Sequence, residues 1–187
     1  TWQDSGIKTL ADIKGKVVYM GPPAGGFWVQ STSYIKAVTG LTPKDFKAVR
    51  LPWGQGMQAM LDGKLDVFLR PTAIGSAVIN QIGAKNKFYL LGAGKAADSK
   101  QWKEVMIKRL KNDNITIPAG TYPNQLGGDA RTTIANNSIL VRADMDDKLI
   151  YKLVKATWEN LDEIHKSAVV LKTLSPTNAF AGVNLPL

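Results

Sequence analysis

The sequence predicts an α/β fold: a mostly parallel sheet flanked by helices, with a helical segment at its C-terminal end. Three observations lead there. Short apolar runs, such as 16–20 and 65–69, read as strands buried on both faces, the habit of parallel strands. Between them lie segments of helical length, and each strand–helix–strand step implies a right-handed crossover. After about residue 120 the alternation stops and a long amphipathic segment takes over. The change of character divides the chain into an α/β unit, 1–125, and a region of extended sequence and helices, 126–187.

Each element has a local reason. Residues 7–13 read as a short helix capped by Thr9, with Gly15 beyond its end. Strand 16–20 follows, then helix 27–39, stopped by Gly40. Thr42-Pro43-Lys44-Asp45 forms a turn before a strand at 46–51. Trp53-Gly54-Gln55-Gly56 reads as a second glycine-containing loop. It leads into helix 56–62, with Met57, Met60 and Leu61 on one face and Gly63 at its end. Strand 65–69 is broken by Pro71-Thr72, before a helix at 73–82 that Gly83 stops. Strand 88–91, helix 99–111 and a short strand at 115–117 complete the alternation. Residues 121–129 are turn-rich, and 130–141 contain extended sequence. Asp144 is placed to cap a long helix whose apolar face includes Leu149, Leu153, Trp158 and Leu161. A helical tail over 166–187 is interrupted by Pro176.

Composition narrows the function classes. The 187 residues are 44% hydrophobic, enough for a real core, and the charges are dispersed rather than blocked. There is no cysteine, which excludes a disulfide scaffold, a cysteine nucleophile and a cysteine-ligated metal. The net charge of +9 favours anionic partners. Its densest stretch, around Lys100, Lys103, Lys108, Arg109 and Lys111, alternates with Trp102, Met106 and Leu110 at helical spacing. It reads as the solvated face of an amphipathic helix, not as a nucleic-acid interface. No signal peptide and no run of membrane-spanning length is present. The start, Thr1-Trp2-Gln3, has no initiator Met, so a processed chain or a fragment is expected.

The most informative segment is the loop Gly21-Pro22-Pro23-Ala24-Gly25-Gly26-Phe27, between strand and helix. Glycines let the backbone approach a ligand closely, and the first N–H groups of the following helix favour an anion. Ligands of parallel sheets sit beyond the carboxyl ends of the strands, so loops 21–27, 52–56 and 70–73 should meet there. The candidate binding residues are Pro23, Ala24, Gly25, Gly26, Phe27, Trp53, Gly54, Gln55, Arg70 and Thr72. Arg70 stands out, because its planar fork suits a carboxylate. A salt bridge to Asp66 or Asp45 is the structural alternative. Trp28 and Trp53 stack on a ligand or pack within the fold. The three loops hold no Asp, Glu, His or Lys, and the single His165 lies far along the chain, so no catalytic group is assigned. No metal set and no cofactor is expected.

Several stretches, in order, resemble a known family. They are residues 7–17 (Ile7-Lys8-Thr9-Leu10-Ala11-Asp12-Ile13-Lys14-Gly15-Lys16-Val17), Gly21-Pro22-Pro23-Ala24-Gly25, and Ala59-Met60-Leu61-Asp62-Gly63-Lys64-Leu65-Asp66. Ile117-Pro118-Ala119-Gly120-Thr121-Tyr122 and the helix around Ile150 to Asn160 complete the set. Together they resemble the type II periplasmic binding proteins, and more closely the solute receptors of TAXI-type TRAP transporters. The chain departs from that pattern in two places. The family's loop usually carries Gly-Ser-Gly-Thr where this chain has Ala24-Gly25-Gly26-Phe27. Small or apolar residues usually stand where this chain has Arg70-Pro71-Thr72.

The resemblance implies an exported receptor, periplasmic or extracellular, that closes on a small anionic organic solute between two lobes. It implies membrane TRAP transporter subunits as partners, and a first lobe missing from this chain against which the long helix packs. Two other readings of the architecture stay open: a phosphate-binding transferase, and the effector-sensing domain of a transcription regulator.

Overall fold

A computed structural model of the chain describes residues 1–135 and 139–179, except the side chain of Val170. The chain divides into two compact units, Thr1–Ile134 and Ala135–Leu187. The first unit is the expected α/β lobe, with parallel strands flanked by helices.

Strand β1 (Val17–Tyr19) lies in the middle of a three-stranded parallel sheet, between β2 (Lys47–Val49) and β3 (Val67–Phe68). It has no exposed face. Val18 and Met20 are fully buried on one side, with Ile7, Ile13, Ile35 and Phe46. Tyr19 is fully buried on the other, with Met57, Met60, Leu65, Ile82 and Phe88. The period-2 alternation of side chains thus feeds two cores from one strand. Helix α1 (Phe27–Thr39) covers the first core through Ile35, and Gly40 ends it in the left-handed conformation. Helices α2 (Trp53–Leu61) and α3 (Ala77–Lys85) cover the second.

Two elements differ from expectation for reasons of packing. Helix α2 begins at Trp53, so Trp53-Gly54-Gln55-Gly56 is its first turn and not a loop. Gly56 is needed there because a Cβ would lie 2.3 Å from the Tyr19 ring. Helix α3 runs through Gly83 instead of stopping at it. That glycine lets the helix press on the chain at Pro123, whose carbonyl oxygen would lie 2.1 Å from a Cβ.

The rest of the first unit adds two strand pairs. Strand β4 (Phe88–Tyr89) pairs in parallel with β6 (Gln125–Leu126). Strand β5 (Asp113–Ile117) pairs antiparallel with β7 (Ala130–Ile134), so the sheet structure is mixed. Between β4 and β5 the expected helix forms as one turn, α4 (Lys100–Trp102), continued by a π-helix over Lys103–Arg109. Trp102 and Met106 are fully buried from it, and the indole N–H of Trp102 donates to Asn114 Oδ1 at 2.8 Å. Its lysines and Arg109 are exposed.

In the second unit, α5 (Asp147–Glu159) is capped by Asp146 rather than Asp144, the carboxylate accepting from the Lys148 N–H at 2.7 Å. Asn160 separates it from α6 (Leu161–Ser167). Residues 139–141 form no strand. Part of the expected tail, 180–187, lies outside the described residues. No helix among the described residues is long and apolar enough to cross a membrane.

Candidate ligand-binding site

The three parallel strands all end on one edge. Hydrogen bonds tie their ends together: the Met20 N–H donates to Val49 O at 2.9 Å, Leu51 N–H to Gly21 O at 3.2 Å and Leu69 N–H to Tyr19 O at 3.3 Å. Helices α1, α2 and α3 each begin just beyond this edge, and no side chain caps any of their first turns. The buried hydroxyl of Ser76, at the start of α3, has no hydrogen-bond partner.

An aromatic group occupies the edge. Tyr19 stacks on Phe68 at 5.0 Å between centroids, and its hydroxyl donates to Leu51 O at 2.9 Å. Trp53 meets the Tyr19 ring edge-on at 6.0 Å and the Phe27 ring at 5.4 Å, tilted by 55°. Phe27 is held by Gly21, which has φ +91° and whose missing Cβ would fall 2.3 Å from the Phe27 ring. The guanidinium of Arg70 sits 4.9 Å over Trp53, a cation–π contact. Burial pushes the Tyr19 phenol up from its ordinary value, and the nearby charge of Arg70 partly offsets this.

Arg70 is half-buried, and no carboxylate pairs with it among the described residues. The structural alternative is not realised. Asp66 Oδ2 accepts from the Val17 N–H at 2.7 Å, and Asp45 Oδ2 accepts from the N–H and hydroxyl of Thr42.

The structure brings Phe27, Trp53 and Arg70 into one cluster. Pro23, Ala24, Gly25 and Gly26 form an exposed rim beside it. A Cβ built on Gly25, Gly26 or Gly54 meets nothing within 4 Å, so the backbone there borders open space. Gln55 and Thr72 are exposed and make no hydrogen bond with the cluster. Trp28 is set apart from it, beneath the guanidinium of Arg50 at 4.6 Å.

Arg50, which the sequence reading passed over, also donates to the carbonyls of Pro22 and Pro23. It clips the end of β2 to the glycine loop. The expected strand 46–51 hid it; in the structure Arg50 stands one residue past β2, as Arg70 stands two past β3. Tyr19 and Phe68 were read only as strand residues, because nothing in a strand's own sequence says which aromatic stacks at its end.

The remaining polar groups have structural roles. Asp62 accepts from the side chain of Gln58 at 2.7 Å and pairs with Lys64. His165 Nε2 lies 2.8 Å from Leu174 O, within the second unit. No group of three or more His, Cys, Asp or Glu side chains gathers for a metal among the described residues.

A parallel lobe whose helices begin, uncapped, beyond one strand edge is a form that solute-binding proteins take. A family model confirms that class. The model described as the NMT1-like family matches residues 1–187, and the chain belongs to this family. It is a periplasmic solute-binding-like family, made of binding proteins rather than enzymes in general. A small-molecule ligand and transport partners go with that class.

Proposed function

We propose that this lobe captures a small anionic organic solute, a carboxylate, at the edge built by Phe27, Trp53 and Arg70. One observation carries the reading: a half-buried guanidinium just past β3, lying over the Trp53 ring and paired with no carboxylate among the described residues. Taking a cation partly out of water is costly unless an anion or hydrogen-bond acceptor meets it. The uncapped first turns of α1 and α2 add positive potential at the same edge. The loops there contain no Asp, Glu, His or Lys, so the solute is held and not transformed.

Under this reading the protein works outside the cytoplasm. A second lobe closes over the solute, and the closed form is presented to the membrane subunits of a transporter of the TRAP type. The family and the resemblance support this; the ring of uncapped donors gives closure something to seal.

The test is Arg70→Ala in the full-length protein, titrated calorimetrically with a panel of small carboxylates. The expected loss is about 1.5–3 kcal/mol, the range of a hydrogen bond to a charged group. Unchanged affinity for every carboxylate that binds would overturn the assignment.

A further inference from the structure

The edge offers one cation, not two. Arg70 is the one charged side chain on the three loops; Arg50, just after β2, has its guanidinium turned onto the carbonyls of Pro22 and Pro23 and the face of Trp28. Arg70 therefore stands alone as the anion's side-chain partner. Trp53 lies beneath it, Phe27 meets Trp53, and the other side chains of the glycine loop, Pro22, Pro23 and Ala24, are apolar too. The hydroxyl and carboxamide side chains at the edge are the exposed Gln55 and Thr72, Tyr19, whose hydroxyl already donates to Leu51 O, and Ser76 at the start of α3. Phe27 and Trp53 are half-buried, and the backbone of Gly25, Gly26 and Gly54 borders open space.

Geometry then favours a flat ligand. A carboxylate bound by both arms of a guanidinium lies in the guanidinium plane. Here that cation already lies over the Trp53 ring, 4.9 Å from its centroid. A ring conjugated to the carboxylate continues in its plane. Aromatic pairs attract beyond what their buried area alone gives. Building on the carboxylate reading above, we infer that the solute is an aromatic monocarboxylate. Its carboxylate pairs with Arg70, and its ring lies against Phe27 and Trp53.

Three probes of matched size test this on the full-length protein: benzoate, cyclohexanecarboxylate and succinate. Calorimetry measures affinity, and tryptophan fluorescence reports contact with Trp53. Benzoate should bind about tenfold tighter than cyclohexanecarboxylate, which has the same charge and similar bulk but no π face. Succinate, with a second charge and no cation for it, should bind more weakly than benzoate. Phe27→Leu should erase most of the benzoate preference while leaving cyclohexanecarboxylate nearly unchanged. Succinate or cyclohexanecarboxylate binding as well as benzoate would overturn the aromatic assignment and leave the carboxylate reading standing. Failure of all three to bind would count against both. The wild-type comparison decides the matter even if the variant does not fold.

Discussion

At the residue scale the glycines divide into two kinds. Gly56 and Gly83 are internal spacers: a side chain at either would collide, with the Tyr19 ring in one case and the Pro123 carbonyl in the other. Gly54 faces outward and collides with nothing. The two classes sit two residues apart on α2, which makes a sharp comparison. Gly56→Ala should destabilise the protein by about 1–3 kcal/mol, as overpacking does. Gly54→Ala should leave stability unchanged or raise it by up to about 1 kcal/mol, since alanine is the better helix residue. If the solute approaches the α2 backbone, Gly54→Ala should nonetheless weaken its binding. Urea unfolding and calorimetry on both variants check this. Unaltered binding in Gly54→Ala would show that the solute does not approach that turn. Gly25 is unsuitable for such a test, because its φ of +106° would strain any other residue.

At the scale of elements, alternation was legible and boundaries were not. Strand β1 and helix α1 follow from an apolar run, a glycine loop and Gly40, all local signals. The start of α2 did not follow, because two glycines in four residues imitate a loop and only the distant Tyr19 ring explains Gly56. The continuation of α3 through Gly83 has the same kind of cause. The π-helix at Lys103–Arg109 has no sequence signature; its charge pattern fits any helix. In the site, Arg70 was legible as a cation out of place, whereas Arg50 became meaningful only when its partners were seen. The helix expected over 7–13 forms only as a 3₁₀ turn over Leu10–Ile13. Asp12 Oδ2 there accepts from the N–H of Lys8 at 3.0 Å, the N–H of Thr9 at 2.8 Å and the Thr9 hydroxyl at 2.9 Å. These bonds hold the Asp12 carboxyl below its ordinary value of 3.8. A lowered folded-state pKa means that the carboxylate stabilises the fold above the unfolded value, and that this contribution fades as pH falls through the folded one. Asp12→Asn should therefore be less stable than wild type at pH ~7, with the gap narrowing toward pH ~3. Urea midpoints at the two pH values measure it; a gap independent of pH would mean that the carboxylate's charge contributes nothing.

For the molecule as a whole, the charge of +9 matters for encounter more than for fold. No acidic residue interrupts the three loops at the binding edge. Stopped-flow association of benzoate should slow severalfold between about 0.02 M and 0.5 M salt, with dissociation much less affected. An association rate indifferent to salt would show that the charge does not steer the solute. The placement of β1 between its two neighbours has a further consequence, in time. Val17 pairs with Lys47, and Val18 with Val67, so the central strand joins partners far along the chain. Contacts of that span form late, because loops must close before the pairing rewards them. Phe27, Trp53 and Arg70 come from three separate crossovers and meet only when all three strands are in register. The binding edge is thus complete only when the three strands are paired, and solute capture reports that this sheet has assembled.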